Sequence, residues 1–285
     1  MGRDTTGILM WSKPFLINDD TAVLLMDTQG SFDSQTSMEE NTFIFSLSTM
    51  VSSVQIYNLH ERIQMDDLQN LQYFLEFGRL MHDDCHAKCF QKLVLLVRDW
   101  MFSDTLEYGY FGGHELLTQW FQGRAGQGMA EMIQTCYEQV KCCLLPHPGE
   151  AVMYGKHFTG ALSDLRPEFV DQLQMFVESI LDPNDLPAKK IGGVYVTGEE
   201  LQAYLNTYVE HLQNPSLKPK TLFQALSNTC SERARRKALS YYVREMETHL
   251  NSTEDVHALH QSLHTKATEQ FDASSSLGSD KDTNP

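Results

Sequence analysis

Two short polar segments follow apolar runs in this sequence, and their residue types suit a metal ion and a nucleobase. Asp27 to Gly30 (Asp-Thr-Gln-Gly) comes directly after the run Thr21 to Met26. A carboxylate in such a loop can hold a magnesium ion, and a glycine leaves its amide free to face a phosphate. Arg98 and Asp99 follow the run Leu93 to Val97, and an aspartate can accept hydrogen bonds from the N–H groups of a guanine edge. Taken alone, each segment is also compatible with an ordinary turn or a solvated charge pair.

The elements that must position these residues are predicted by the apolar pattern of the first half. Short apolar runs typical of strands buried on both faces of a sheet are Thr21 to Met26, Leu93 to Val97, Val140 to Leu145 and, more weakly, Phe15 to Ile17. Helical periodicity covers Glu40 to Leu59, Asp66 to Met81, Glu115 to Phe121 and Met129 to Tyr137. Alternating strands and helices predict an α/β fold with a mostly parallel sheet, in which ligands bind at the carboxyl ends of the strands.

The second half of the sequence is predicted to be helical. Helical periodicity covers Arg166 to Leu181, Thr197 to Leu212, Thr221 to Leu250 and Glu254 to Phe271. Thr197 and Glu200 have the spacing of a capping box at the start of the second of these helices.

Composition and charge exclude several classes of protein. The 285 residues are 41% hydrophobic, which is enough to build a core and excludes wholesale disorder. A formal net charge of −16 excludes a nucleic-acid groove binder. The apolar runs are far shorter than the roughly 20 residues that span a bilayer, and no secretory signal precedes the six cysteines. These features predict a soluble, cytoplasmic chain with free thiols.

The motifs become more specific when they are taken in order along the chain. They are Thr5-Thr6-Gly7-Ile8, then Trp11, Leu24 to Gln35 (Leu-Leu-Met-Asp-Thr-Gln-Gly-Ser-Phe-Asp-Ser-Gln), Leu47 to Ser53, Leu96 to Trp100 (Leu-Val-Arg-Asp-Trp) and Leu144 to Gly149 (Leu-Leu-Pro-His-Pro-Gly). This series resembles the atlastin branch of the guanylate-binding-protein family, the large dynamin-like GTPases. The likeness extends from about Thr5 to about Leu212 and more weakly to about Phe271. An Arg-Asp pair in place of Asn-Lys-x-Asp is distinctive for that family.

The resemblance implies catalytic roles for residues in two loops that would respond to the nucleotide. Thr5, or its neighbour Thr6, is similar to the switch-one threonine that contacts magnesium. Asp27 resembles the magnesium-linked aspartate of switch two. Gln29 and Gly30 fall in the same loop. The resemblance implies a catalytic role for Gly30 and a nucleotide-binding role for Gln29. The implied cofactor is Mg²⁺ with GTP as the substrate.

The resemblance also implies a guanine-binding set. Arg98 and Asp99 resemble the pair that reads the base. Val152 and Gly155, in the stretch after the Pro-His-Pro-Gly motif, resemble the loop that caps the guanine. Atlastins tend to carry asparagine at the position of Gly155, so this residue departs from the family pattern.

The main departure from the family is the absence of a phosphate-binding loop. No Gly-Lys-Ser or Gly-Lys-Thr occurs in the 285 residues, although the family carries a Gly-x-x-x-x-Gly-Lys-Ser loop before switch one. We therefore expect a P-loop-type GTPase domain without its first strand, from a chain that is N-terminally incomplete or a degenerate paralogue and is inactive alone. The expected divisions are an incomplete GTPase (G) domain over 1–213, a linker over 214–220, a partial helical domain over 221–272 and a disordered tail over 273–285.

The family resemblance finally suggests what a complete protein would do. It implies GTP and GDP as ligands, a homodimer formed through the G domain, and tethering and fusion of endoplasmic-reticulum membranes from their cytosolic face, with the membrane reached only through segments absent from this chain. A second hypothesis is a non-catalytic module that dimerises with full-length relatives and regulates them. A third is the RING-containing branch of the family, which Met10 to Phe15 and Cys142 to Pro146 also resemble.

Overall fold

The structure is a computed structural model of the chain. It describes residues 7–30, 38–64, 88–123, 127–155, 158–212, 219–249 and 256–274, together with 68, 71–72, 75–76, 78–80 and 82–83. The strands are β1 (Ile8–Met10), β2 (Phe15–Leu16), β3 (Ala22–Val23), β4 (Met26–Thr28), β5 (Val54–His60), β6 (Phe90–Arg98), β7 (Tyr137–Leu144), β8 (Lys190–Ile191) and β9 (Val194–Tyr195). The helices are α1 (Met38–Val51), α2 (Gly109–Gln122), α3 (Gln127–Cys136), α4 (Glu150–Tyr154), α5 (Pro167–Ile180), α6 (Gly198–Leu212), α7 (Pro219–His249) and α8 (Val256–Ser274).

A parallel three-stranded sheet in the order β5-β6-β7 forms the centre of the fold. Its central strand β6 is apolar on both faces: Leu93 and Leu95 pack into one buried cluster and Val94 into another. A strand with neighbours on both sides and helices on both faces has no solvent-facing side, so a continuous apolar run is suited to it. The predicted α/β fold with a parallel sheet is confirmed, and so are the strands predicted at Leu93 to Val97 and Val140 to Leu145.

Helices cover this sheet through close backbone contacts and aromatic side chains. Helix α2 lies directly on β7, because a Cβ added at Gly113 would fall inside the contact distance of the carbonyl oxygen of Cys142. Tyr204 and Tyr208 of α6 are buried in the main core cluster, and α6 also packs on α1. The described residues between 68 and 83 are helical, as predicted.

The first strands depart from the prediction. Thr21 to Met26 was expected to be a strand buried on both faces, but β4 begins only at Met26 and pairs antiparallel with β1, while β3 pairs with β2. Together they form a ribbon over residues 8–28 whose leucines at 24 and 25 are exposed. Because no sheet strand lies beside this ribbon in the described residues, most of its apolar side chains stay exposed, and among its strand residues only Ile8 and Met26 pack against the main core.

The predicted helix over Glu40 to Leu59 is also wrong in its second half. Helix α1 ends at Val51, and Val54 begins β5. The burial pattern of β5 explains this error, because Gln55, Tyr57 and Leu59 are buried and the residues between them are exposed. This two-residue alternation is the pattern of a strand with one covered face. In the sequence it follows the apolar residues of α1 so closely that the two segments together resemble one continuous helical period.

The last helices follow the sequence closely. The predicted capping box is present, since the Thr197 N–H donates to Glu200 Oε2 (2.8 Å) and the Glu200 N–H donates to Thr197 Oγ1 (3.4 Å). Of the predicted linker over 214–220, residues 219 and 220 open α7, and the others lie outside the described residues. The predicted tail over 273–285 lies outside them from residue 275 onward. None of the described helices combines the length and apolar composition needed to cross a bilayer.

Candidate functional site

Arg98 and Asp99 stand at the carboxyl end of the central strand, where β6 gives way to a loop. Asp99 takes the left-handed backbone conformation, with φ of 60°, which is uncommon for residues other than glycine but more accessible to aspartate. The next residue fixes this turn, because the Trp100 N–H donates to the Leu145 carbonyl (2.9 Å) and the buried indole Nε1–H donates to the Leu106 carbonyl (3.1 Å). The polar pair is therefore held on a rigid corner of the sheet.

The Asp99 carboxylate is nearly buried and is approached by two basic groups. Arg98 Nη1 donates to Asp99 Oδ2 at 3.0 Å, and His60 Nε2 lies 3.4 Å from the same oxygen. Both contacts reach Oδ2, and among the described residues no other hydrogen bond or ion pair to this carboxylate occurs. Oδ1 is thus left as an acceptor, and a carboxylate fixed in this way can receive two parallel N–H donors from a planar edge.

His60 is a site residue that sequence reasoning missed. It ends β5, directly beside Arg98 in the parallel register, and the following Glu61 also has φ of 60° and donates its N–H to the Arg98 carbonyl (2.9 Å). Two neighbouring strands therefore end in matched left-handed corners. The alternation of Val54 to Leu59 would have predicted a strand and placed His60 at its carboxyl end.

The third loop at this edge leads from β7 into α4. Gly149 has φ of 123°, a conformation that favours glycine, and the neighbouring Pro148 carbonyl accepts the Arg166 N–H (2.9 Å). Val152 lies half-buried on α4. Gly155 ends that helix, and a Cβ there would collide with the Ala151 carbonyl oxygen. The backbone at this position therefore leaves little room for a side chain.

The other predicted site residues lie on the ribbon. Asp27 is exposed on β4, opposite Leu9. Gln29 is buried, and its side-chain Oε1 accepts the Gly7 N–H (2.8 Å) while its own N–H donates to the Gly7 carbonyl (2.9 Å). Gln29 thus fastens the loop of Asp27 to the residues just after Thr5 and Thr6, which lie outside the described residues. Gly30 is exposed, and a Cβ there would meet no atom.

The predicted site residues fall into two groups, and only one of these groups is joined by the central sheet. The Arg98 and Asp99 corner and the loop that follows β7 are joined by the hydrogen-bonded register of β6 and β7. Asp27, Gln29 and Gly30 belong to a separate two-stranded sheet or the loop after it. The residues predicted to read a base therefore lie at the edge of the central sheet, and those predicted to bind a metal lie on the ribbon or in the loop after it.

Of the residues predicted to hold magnesium, Asp27 is among the described residues, whereas Thr5 and Thr6 lie outside them. The exposed Asp27 carboxylate is the type of oxygen ligand that Mg²⁺ takes, and Mg²⁺ usually adds waters and substrate phosphate oxygens to one or two carboxylates. In the part of the chain that the structure describes, no three His, Cys, Asp or Glu side chains cluster as a metal site. Asp27 therefore fits a magnesium ion shared with a phosphate and does not fit an all-protein metal cage.

Several large apolar side chains that follow Asp99 in the sequence or lie on α4 are exposed. Met101 and Phe102 follow Asp99 and are exposed, and Met153 and Tyr154 of α4 are exposed as well. Neighbouring exposed apolar side chains of this kind are typical of a surface that another molecule covers.

Comparison with known proteins identifies the class to which this fold and site belong. The family model of the guanylate-binding protein N-terminal domain matches residues 1–190. The chain belongs to the guanylate-binding protein family, whose members are dynamin-like GTPases.

Individual relatives place the chain near the atlastins. It is 40% identical to atlastin-1 of Bos taurus over 86% of this chain and 46% of that protein. It is 42% identical to atlastin-3 of Homo sapiens over 86% of this chain and 47% of the relative. It is 39% identical to atlastin of Drosophila melanogaster over 99% of this chain and 55% of the relative. The chain thus spans about half the length of these relatives.

Proposed function

We propose that this chain is an atlastin-like guanine-nucleotide-binding protein in which Arg98 and Asp99 select the base. Guanine presents adjacent N1–H and N2–H donors, and both oxygens of a fixed carboxylate can accept them together. The observation that carries the proposal is the Asp99 corner, where the carboxylate is held by Arg98 with Oδ1 still available. Val152 on α4 and Gly155 at the end of that helix would cap the base.

Asp27 and Thr5 are the residues we propose for magnesium, with Thr6 as the alternative to Thr5. Magnesium bound with GTP would neutralise charge on the phosphates. Asp27 would orient the ion from the ribbon, and Gln29 would keep the two switch segments in register through its bonds to Gly7. Gly30 would offer its backbone N–H near the terminal phosphate.

Hydrolysis by these 285 residues alone is expected to be negligible. The sequence has no Gly-Lys-Ser or Gly-Lys-Thr, so the lysine and the backbone amides that cradle the β- and γ-phosphates in P-loop GTPases are not supplied. Positioning and charge stabilisation account for nearly all of phosphoryl-transfer catalysis. We therefore propose GTP hydrolysis for the complete protein and, at most, base recognition for this chain.

The finer assignment follows the atlastin relatives. We propose that the complete protein forms a homodimer through its G domain and takes part in tethering and fusing endoplasmic-reticulum membranes at the cytosolic face. The exposed apolar side chains Met101, Phe102, Met153 and Tyr154 support a contact with another protein. The relatives above favour this assignment over the RING-containing branch, for which they add no support.

The test is a titration of the purified chain with fluorescent GTP in the presence of magnesium, beside the variant Asp99→Asn. An asparagine side chain can accept only one of the two guanine donors and offers a donor of its own. We expect Asp99→Asn to weaken GTP binding at least tenfold while binding of fluorescent XTP, which has a carbonyl at C2, is maintained or improved.

The two outcomes separate the hypotheses. Submicromolar GTP binding that is lost in Asp99→Asn would support base recognition and would mean that tight binding does not require a phosphate-binding loop in this chain. Absence of binding below about a millimolar for both nucleotides would remove the nucleotide-binding proposal for this chain and leave its family membership unchanged.

The second candidate is a non-catalytic regulator that pairs with full-length relatives. It is favoured by the combination of a missing phosphate-loop motif with an exposed apolar surface beside the site. Co-purification with a full-length relative in the absence of nucleotide would support it, and a variant in which Phe102 and Tyr154 are changed to serine should lose that association.

A further inference from the structure

Helix α8 carries three histidines, His257, His260 and His264, that form a stripe along one side of it. All three side chains are exposed, whereas Leu263 is buried, and the helix packs on α7. Side chains four residues apart on a helix are neighbours on the same face. His260 and His264 are therefore adjacent, and their ring centroids lie 5.9 Å apart. The helix thus presents two imidazoles side by side.

The ring of His260 is held in place by Tyr242 of α7. The Tyr242 hydroxyl lies 2.7 Å from His260 Nδ1, and the two rings meet edge to face with centroids 5.8 Å apart. A phenol oxygen can accept a hydrogen bond from Nδ1–H, and in that tautomer the lone pair of the ring is on Nε2. Histidines that bind metals donate their other ring N–H to an oxygen in this way. Tyr242 therefore suits His260 to binding a metal through Nε2.

His257 differs from the other two histidines although it lies on the same stripe. Its Nε2 is 3.2 Å from the side-chain Nε2 of Gln261. An amide nitrogen can only donate, so the ring nitrogen of His257 is the acceptor of this hydrogen bond. The lone pair that a metal would need is thus engaged at His257, which makes this residue a natural control for the pair at 260 and 264.

The spacing of the pair is close to that of a chelate. Two imidazole nitrogens at about 2.0 to 2.1 Å from a shared tetrahedral Zn²⁺ place their ring centres about 5.3 Å apart. A small change in the side-chain torsions of His260 and His264 would close the difference from the observed 5.9 Å. Within the described ranges no third His, Cys, Asp or Glu side chain joins the pair. Water molecules would therefore complete the coordination of the ion.

The donor type selects the class of metal. Imidazole suits zinc, copper and nickel, whereas magnesium takes oxygen ligands. Thiols also bind zinc, but only as thiolates. The described cysteines are buried, and burial raises the pKa of Cys136 and of Cys143 to about 12. These thiols therefore do not compete with the histidine pair for zinc.

We propose that His260 and His264 form a chelating site for Zn²⁺, with Tyr242 as the positioning residue that orients the His260 ring. The ion links two successive turns of α8, and the hydrogen bond from His260 to Tyr242 connects the site to α7. The site uses none of the residues proposed above for GTP or magnesium, so it can be tested without a nucleotide.

The experiment is a calorimetric titration of the full, metal-free chain with Zn²⁺, beside proton–nitrogen NMR spectra of its labelled histidines. Zn²⁺ should shift the Nε2 signals of both His260 and His264. His264→Gln should weaken Zn²⁺ binding at least tenfold, because the second nitrogen of the chelate is lost. Tyr242→Phe, which keeps the ring and removes the hydroxyl, should weaken it about tenfold, the lower end of the range for a partner of a metal ligand.

His257→Gln is the matched control, since it removes an exposed histidine from the same stripe. Its affinity for Zn²⁺ should equal that of the wild type. The site would be overturned by unchanged affinity in His264→Gln or by Nε2 signals of the pair that do not respond to Zn²⁺. An equal loss in His257→Gln would overturn it too, because binding would then follow from the number of histidines. Unchanged affinity in Tyr242→Phe would remove the positioning role of that residue.

Discussion

The parallel sheet and the amino-terminal ribbon contain similar apolar runs in opposite surroundings. Leu93, in the central strand, is 0% exposed, whereas Leu9, in the ribbon, is 55% exposed. The sheet strand has hydrogen-bonded neighbours on both sides and buried clusters on both faces. The ribbon strands have one partner each, and only Ile8 and Met26 among their residues pack against the main core. An apolar run therefore specifies a buried strand only where other elements supply both of its faces.

This difference extends to the candidate site. Asp99 is fixed by a left-handed corner, by Arg98 and by the anchored Trp100. Asp27 is carried by a short exposed strand. The part that would read the base is preorganised by the core, and the part that would hold magnesium depends on a small ribbon.

The largest expected effect is on stability, and it compares a leucine from each region. Leu93→Ala removes a fully buried side chain from β6 and should lower the free energy of unfolding by about 2 to 5 kcal/mol, since it leaves a cavity. Leu9→Ala should cost less than about 1 kcal/mol, because this leucine already faces solvent. Urea denaturation followed by circular dichroism would measure both. Similar losses for the two variants would show that the ribbon is as well packed as the sheet.

A second pair of substitutions tests how closely neighbouring backbone packs against a glycine in each of the two regions. Gly113→Ala should destabilise by about 1 to 3 kcal/mol, because its Cβ would press on the Cys142 carbonyl and push α2 away from β7. Gly30→Ala, beside the ribbon, meets no neighbouring atom and should change stability by less than about 0.5 kcal/mol. Thermal melts of both variants would provide the comparison, and a tolerated Gly113→Ala would contradict the close packing of α2.

The sequence predicted the two strands β6 and β7 of the central sheet better than strand β5 and the amino-terminal ribbon. Leu93 to Val97 and Val140 to Leu145 were identified correctly because a continuous apolar run between polar loops has few alternatives in an α/β fold. The strand from Val54 was missed because its alternation begins directly after an apolar helix, where the two periods overlap. The ribbon was misjudged because burial depends on neighbouring elements, which a local pattern does not contain.

The same limits apply to the candidate site. Arg98 and Asp99 were found from their position after a buried strand, and the structure places them on that corner. His60 was missed together with the strand that carries it. The inward orientation of Gln29 toward Gly7 could not be predicted, because it depends on the pairing of β1 with β4.

The smallest expected effect concerns the pH dependence of stability and compares two lysines. Lys189 donates to the Ser52 carbonyl just before β5 (3.0 Å), and burial lowers the pKa of its amine to about 8. In the unfolded chain a lysine titrates near 10.4, so between about pH 8 and 10 the unfolded state binds more protons and the free energy of unfolding rises with pH. We expect this amine to contribute a rise of about 1 kcal/mol from pH 7.5 to 9, measured by urea denaturation as the difference between the wild type and Lys189→Met.

Lys189→Met should abolish that rise, because the titrating amine is gone. Lys13→Met removes an exposed lysine from the ribbon and should leave the rise as it is in the wild type. The same pH dependence of stability in Lys189→Met and in the wild type would mean that the Lys189 amine is hydrated in the folded state. The contrast between a buried sheet and an exposed ribbon would then not extend to the loop that carries Lys189.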